Sequence, residues 1–176
     1  MIFFDTETTG LVREGLLDLS QQPRIVELAL VRTHLGWEVE RYQTLINPQM
    51  SIPPEATKVH GITDQDVKSA PTFALALQQM IDLWATECYS ESTLVAHNVS
   101  FDLTLLVYEL MRINWQHRFP FPRNHIDTVS FARQACGSGK LDNWSRKVMG
   151  DKWAPQSHRA MGDVERLMEC WKTVKQ

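Results

Sequence analysis

The amino-acid sequence predicts an α/β fold in which a mixed, five-stranded sheet is covered by helices. Three observations carry that prediction. Runs of β-branched and aromatic residues gather near the start of the chain. Helical periodicity takes over afterwards, interrupted by one or two strand-to-helix alternations. The chain has 176 residues, enough for one full hydrophobic core and short for two, so residues 1–176 read as a single domain.

Residues 2–7 alternate large and polar side chains, and 25–32 and 37–46 are rich in β-branched and aromatic types with Leu35-Gly36 between them. These are three strands, the last two a hairpin. Asn47-Pro48 and Pro53-Pro54 then break the chain. Thr72 can cap a helix through about residue 87 that turns Phe73, Leu77, Met80, Ile81 and Trp84 inward. Residues 93–97 form a short apolar strand, and Ser100 caps a helix on which Leu105, Leu106 and Leu110 recur at helical spacing. A last short strand is expected at 126–128, followed by helical stretches at 129–135 and 141–148. The final helix is the clearest, with Ala160, Val164, Leu167, Met168 and Trp171 on one apolar stripe. The six tryptophans are read mostly as core.

Composition narrows the function. Hydrophobic residues make up 43% and charged residues 22%, which excludes a disordered polymer. The apolar runs fall short of the roughly 18 residues that a membrane span requires, so no membrane partner is expected. The start of the chain lacks the basic and small-residue features of a secretory leader. Cys88, Cys136 and Cys170 are odd in number and far apart, fit no disulfide framework, and point to a reducing, cytoplasmic setting. A formal charge of −3 excludes a protein that coats nucleic acid through bulk positive charge, so a polyanion must be gripped locally.

The chemistry concentrates in three segments. In Phe3-Phe4-Asp5-Thr6-Glu7-Thr8-Thr9-Gly10, a continuous strand would project Asp5 and Glu7 from one face about 7 Å apart. Two neighbouring anions beside a buried strand cost stability unless a cation lies between them, and a metal is the simplest remedy. The alternative is a strand that ends at Asp5 and a solvated turn thereafter. In His97-Asn98-Val99-Ser100-Phe101-Asp102, Asp102 shares the inward face of Leu105 and Leu106, although the helix macrodipole alone also favours an acid there. In Ser157-His158-Arg159-Ala160-Met161-Gly162-Asp163, Asp163 falls at the margin of the apolar stripe. His158 is expected in the loop before that helix, leaning over the same site, where a surface histidine is the plainer alternative.

Asp-x-Glu on an opening strand, His-Asn-x-x-Phe-Asp in mid-chain and His-x-Ala-x-x-Asp near the end, in that order, resemble the motifs of the DEDDh (DnaQ-like) family of 3′-to-5′ exonucleases. Within it, the proofreading exonucleases of bacterial replicative DNA polymerases are the nearest in look. The likeness spans nearly the whole chain, including Arg24-Ile25-Val26-Glu27 and Val59-His60-Gly61-Ile62-Thr63. Val99 departs from it, standing where the family more often has a smaller residue. The resemblance implies a ribonuclease H-like fold and two divalent cations held by Asp5, Glu7, Asp102 and Asp163. Four oxygen anions suit Mg²⁺ or Mn²⁺. It also implies release of nucleoside 5′-monophosphates from a single-stranded DNA 3′ end, with RNA as an alternative substrate, and His158 as general base. By resemblance, the stretch of Thr6, Thr9, Gly10 and Leu11 faces the terminal nucleotide, the amide near Thr6 meets its 3′ hydroxyl, and Leu11 packs on the last base. His60, Asn98 and Phe101 line the same groove. Association with a DNA polymerase is left open, because the chain ends at Gln176 without the further segment through which such proofreading subunits contact theirs. A non-catalytic nucleic-acid-binding module would show eroded ligands, and here all four acids and the histidine are present.

Other motifs fail on their own terms. Asp5-x-Glu7-x-Thr9-Gly10 copies the start of an EF-hand loop but has Leu16 at the twelfth position. Gly137-Ser138-Gly139-Lys140 lacks the Ser or Thr and the first Gly of a P-loop and is read as a turn.

Overall fold

The computed structural model describes residues 1–84, 92–150 and 158–174. A five-stranded mixed sheet is ordered β3-β2-β1-β4-β5, from β1 (Ile2–Thr8), β2 (Ile25–His34), β3 (Trp37–Leu45), β4 (Thr93–Ala96) and β5 (Asn124–Asp127). The first three strands are antiparallel neighbours, whereas β1–β4 and β4–β5 pair in parallel. Seven helices are seen among the described residues: α1 (Pro54–His60), α2 (Asp64–Val67), α3 (Phe73–Trp84), α4 (Val99–Arg112), α5 (Val129–Cys136), α6 (Leu141–Met149) and α7 (Ala160–Val174).

Side-chain alternation sorts the two faces of the sheet. Ile2, Phe4, Leu28 and Leu30 pack against Phe73, Leu77 and Met80 of α3 and Leu105, Leu106 and Leu110 of α4. Phe3, Ala29, Val31 and Val95 pack against Ala132, Trp144 and the α7 stripe of Ala160, Val164, Leu167 and Trp171. The odd-numbered residues of β1 and β2 therefore face α7, and Asp5, Glu7 and Glu27 share that parity. Leu35 and Gly36 make the two-residue β2–β3 turn, both at positive φ (51° and 87°), which the right-handed twist of a hairpin demands.

Several boundaries differ from those expected. Pro53-Pro54, read as a break, opens α1 instead. Pro54 sits in its first turn, where the missing N–H costs nothing, and Gly61 closes it at φ 75° with its N–H on the Thr57 carbonyl. Thr63 and Asp66 form a capping box on the short α2, also unanticipated. Ser100 does not cap α4 but lies inside its first turn; the position before the helix is held by Asn98, in the left-handed region at φ 72°, whose side chain makes no capping bond. The last strand begins at Asn124, two residues earlier than expected. For α3, the expected end near residue 87 lies outside the described residues. Trp144 and Trp171 are core as expected, but Trp37 on the edge strand is exposed. Among the described residues, no helix is long and apolar enough to cross a membrane.

Candidate active site

Asp5 and Glu7 leave the last turns of the β1 pleat toward α7, and Asp163 descends from the first turn of that helix. One carboxylate oxygen from each of the three lies within 4.8 Å of the others. The segment is strand throughout, through Thr8, so the solvated-turn alternative for Asp5-x-Glu7 is excluded. Across the ladder Glu7 stands opposite Glu27, bringing a fourth acid to the same face.

This crowding shifts the acids as elementary electrostatics requires. Burial, then the charges of Asp102 and Glu7, raises the Asp5 pKa well above the usual carboxylate range. Burial, then Glu27 and Asp102, pushes Glu7 up to about 7. Arg166, buried on α7, contacts Asp163 and Asp142 and offsets part of the repulsion.

Of the four acids expected to converge, Asp102 lies outside the 4.8 Å group yet near enough for its charge to act on Asp5 and Glu7, and its position follows from strand length. β4 pairs with β1 only through Ile2↔Leu94 and Phe3↔Val95. Beyond that point the flank of β1 is uncovered, and α4 delivers a buried Asp102 whose Oδ1 accepts the Thr6 N–H (3.0 Å) and hydroxyl (2.7 Å). Burial raises the Asp102 pKa, and the two bonds from Thr6 work against that rise. Thr6 thus bonds Asp102 through both its amide and its hydroxyl, and it lines the neighbouring cavity.

His158 precedes α7, with Nδ1 3.4 Å from Asp163 Oδ2 and Nε2 3.8 Å from Asp142 Oδ2. Asp142, in the first turn of α6, was not anticipated from sequence. Neither was Glu27, although a lone acid inside Ile25-Val26-Glu27-Leu28-Ala29-Leu30-Val31 is itself a signal, since such a charge must find a partner.

Beside the cluster lies a cavity of about 630 Å³ that reaches it through Glu7. Thr6, Thr9, Gly10, Leu11, His60 and Phe101 line it. Leu11 is 80% exposed, and the exposed Met50 and Val59 extend the apolar wall. His60 is part of that wall with both ring nitrogens engaged, Nδ1 accepting the Ile62 N–H (3.0 Å) and Nε2 lying 3.3 Å from the Thr8 carbonyl. Burial lowers its pKa, which favours the neutral ring with the proton on Nε2. Asn98 does not line the cavity. Its strained backbone instead points its N–H at Asp127 Oδ1 (3.1 Å), because the left-handed residue turns the chain from β4 into α4.

The donor set fits a divalent cation. Three carboxylates with hard oxygens converge in a site whose excess negative charge is only partly answered by arginine, and neither thiolate nor paired imidazole is in the group. A ribonuclease H-like mixed sheet with acids grouped at the end of its central strand defines a nuclease-type hydrolase. The exonuclease family model RNase_T matches residues 2–170. The DNA polymerase III subunit epsilon of Rickettsia prowazekii (strain Madrid E) is 32% identical over 97% of this chain and 71% of its own length. A structure of exonuclease X in complex with 5′ overhanging duplex DNA superposes with a TM-score of 0.62 at 25% identity, covering 99% of this chain and 93% of that one. Escherichia coli exonuclease I with a dT13 oligonucleotide shares the fold at a TM-score of 0.74 and 19% identity, over 99% of this chain and 40% of that one. The chain belongs to this exonuclease family and is a nuclease.

Proposed function

We propose that the protein is a metal-dependent 3′-to-5′ exonuclease that hydrolyses the terminal phosphodiester bond of single-stranded DNA and releases nucleoside 5′-monophosphates. The observation that carries this reading is the triad of Asp5, Glu7 and Asp163 oxygens within 4.8 Å, set beside an open, partly apolar groove. Two Mg²⁺ or Mn²⁺ ions, held by these three acids with Asp102 at the flank, would supply an activated water and neutralise charge at the scissile phosphate.

The chain's own groups account for the rest. With the Nδ1 proton of His158 assigned to its Asp163 contact, Nε2 keeps the lone pair and takes the proton from the attacking water. Asp102 and Thr6 lock the end of β1, which fixes where Asp5 and Glu7 aim. Leu11 and Phe101 offer apolar surface to the terminal base without reading its identity, which suits an enzyme that removes any nucleotide. Residues 1–176 act as one catalytic domain, working in the cytoplasm in proofreading or repair, free-standing or with a DNA polymerase.

The test is digestion of 3′-ended DNA and RNA oligonucleotides of matched sequence with Mg²⁺, Mn²⁺ or chelator. The expected result is a ladder shortening from the 3′ end of DNA, with mononucleotide products and none in chelator. Chelator-resistant digestion or internal cuts would overturn the mechanism, and faster loss of RNA would overturn the substrate.

A further inference from the structure

We infer that Glu27 and Arg159 form a clamp that positions His158 over the carboxylate cluster; the inference rests on the reading of His158 as proton acceptor. Glu27 is fully buried in the middle of the sheet, yet it is absent from the cluster of Asp5, Glu7 and Asp163. Its oxygens are already committed. They accept Arg159 Nε (2.9 Å), Arg159 Nη2 (2.5 Å), Gln43 Nε2 (2.9 Å) and the Ala160 N–H (3.0 Å). Burial opposes its charge, but these donors together outweigh burial and hold the carboxyl below the ordinary glutamate value.

The Ala160 bond is the informative one. Ala160 opens α7, and the first N–H groups of a helix ordinarily find a cap in the residue just before it. Here the cap is a side chain of β2, 133 residues away in sequence, on the strand paired with β1 opposite Glu7. The start of α7 is therefore fastened to the sheet at the place where the acids stand. Asp163, whose N–H bonds the Arg159 carbonyl (3.0 Å), follows one turn later over Asp5 and Glu7. His158 is the neighbour of the clamped arginine, and its ring lies against Asp163 and Asp142. An extra anion opposite Glu7 adds to the repulsion there. Stability alone would be served as well by an apolar pair of similar volume, so the placement of His158 is what the clamp supplies.

The experiment combines a double-mutant cycle with amide exchange. Arg159→Ala should lower kcat about 10- to 100-fold, with KM for a DNA oligonucleotide changed less than about twofold. In a His158→Ala background the same substitution should change kcat less than about twofold, because the group it positions is gone. Arg159→Lys and Glu27→Gln, which keep the fold's volumes, should fall between parent and Arg159→Ala, since one ammonium cannot replace a two-pronged guanidinium contact. In the metal-free protein, the Ala160 amide should exchange about tenfold faster in Arg159→Ala, with the Leu167 amide unchanged. Additive losses in the cycle, or an unchanged Ala160 exchange rate, would overturn the clamp while leaving the nuclease reading intact. Full turnover in His158→Ala alone would remove the proton-acceptor assignment and this inference with it, and loss of all digestion ladders in the parent protein would fall on the function itself.

Discussion

Two buried acidic groups in this molecule meet opposite fates. Glu109 on α4 accepts Arg24 Nε (2.7 Å), Arg24 Nη2 (2.9 Å) and the Ile25 N–H (3.2 Å), with Arg112 a further 3.2 Å away. Arg112 in turn reaches the carbonyls of Leu19, Gln22 and Pro23, so one anion and two cations tie down the segment that carries Leu11. On the other face, Asp5, Glu7 and Asp163 crowd together with Arg166 beside them, while the nearby Arg159 is committed to Glu27. The first group is closed upon itself and holds structure. The second is left short of positive charge, and that shortage is the physical mark of a site built for a cation from outside.

The contrast can be broken or sharpened experimentally. The largest effect is expected at Asp5→Asn, which should reduce exonuclease activity to background while raising the melting temperature of the metal-free protein, because a repelled buried charge is removed. Calorimetry in chelator, paired with an oligonucleotide digest, checks both halves; a lowered melting temperature would count against the strained-cluster view. His158→Ala should lose about 10²- to 10⁴-fold in rate while Mn²⁺ binding measured by titration calorimetry persists. Glu109→Ala should do the reverse of Asp5→Asn. Leaving the half-buried Arg24 and Arg112 without their anion should cost about 3 kcal/mol, the low end for a broken buried pair, read as a melting temperature lower by roughly 6–12 °C.

Acidity marks the second group. A carboxyl whose folded-state pKa exceeds its unfolded value holds its proton more tightly in the folded chain. The stability it contributes is full below the unfolded pKa, near 4, and is lost as pH rises through the folded value, about 7 at Glu7. In chelator, Glu7→Gln should therefore match the parent at pH 4, gain a melting-temperature advantage as pH rises to about 7 and keep it above. Added Mn²⁺ should stabilise the parent and not the variant. A constant difference across this range would mean that Glu7 titrates normally. The smallest effect is expected at Leu11→Ala, where losing a base contact worth about 1 kcal/mol should raise KM roughly fivefold. The melting temperature should not move, since Leu11 is 80% exposed.

Much of this was legible in the sequence for reasons of periodicity. The α7 stripe, the α3 face and the central hairpin rest on repeats of 3.6 and 2, which survive in any single sequence. The acids of β1 and α7 were legible because they interrupt apolar surroundings. What stayed hidden depends on where chain segments end. Pro53-Pro54 reads equally as a break or as a helix start, and only the local path decides. Asp102 turns one oxygen to Thr6, a partner 96 residues away that no spacing announces. Glu27 was visible as a charge in an apolar run, but its partner Arg159 lies far off in the sequence, beside the last helix.

β4 is only four residues long. The parallel ladder between β1 and β4 stops after Val95, and the opening in which Asp102 meets Thr6 is simply the backbone that β4 leaves unpaired. The room for this encounter is thus a matter of chain length before it is one of side-chain identity. An insertion of two residues that prolonged β4 alongside Asp5 and Thr6 would seal the notch and silence the enzyme with every acid and the histidine still in the sequence. A reader scanning motifs alone would take such a protein for an active one.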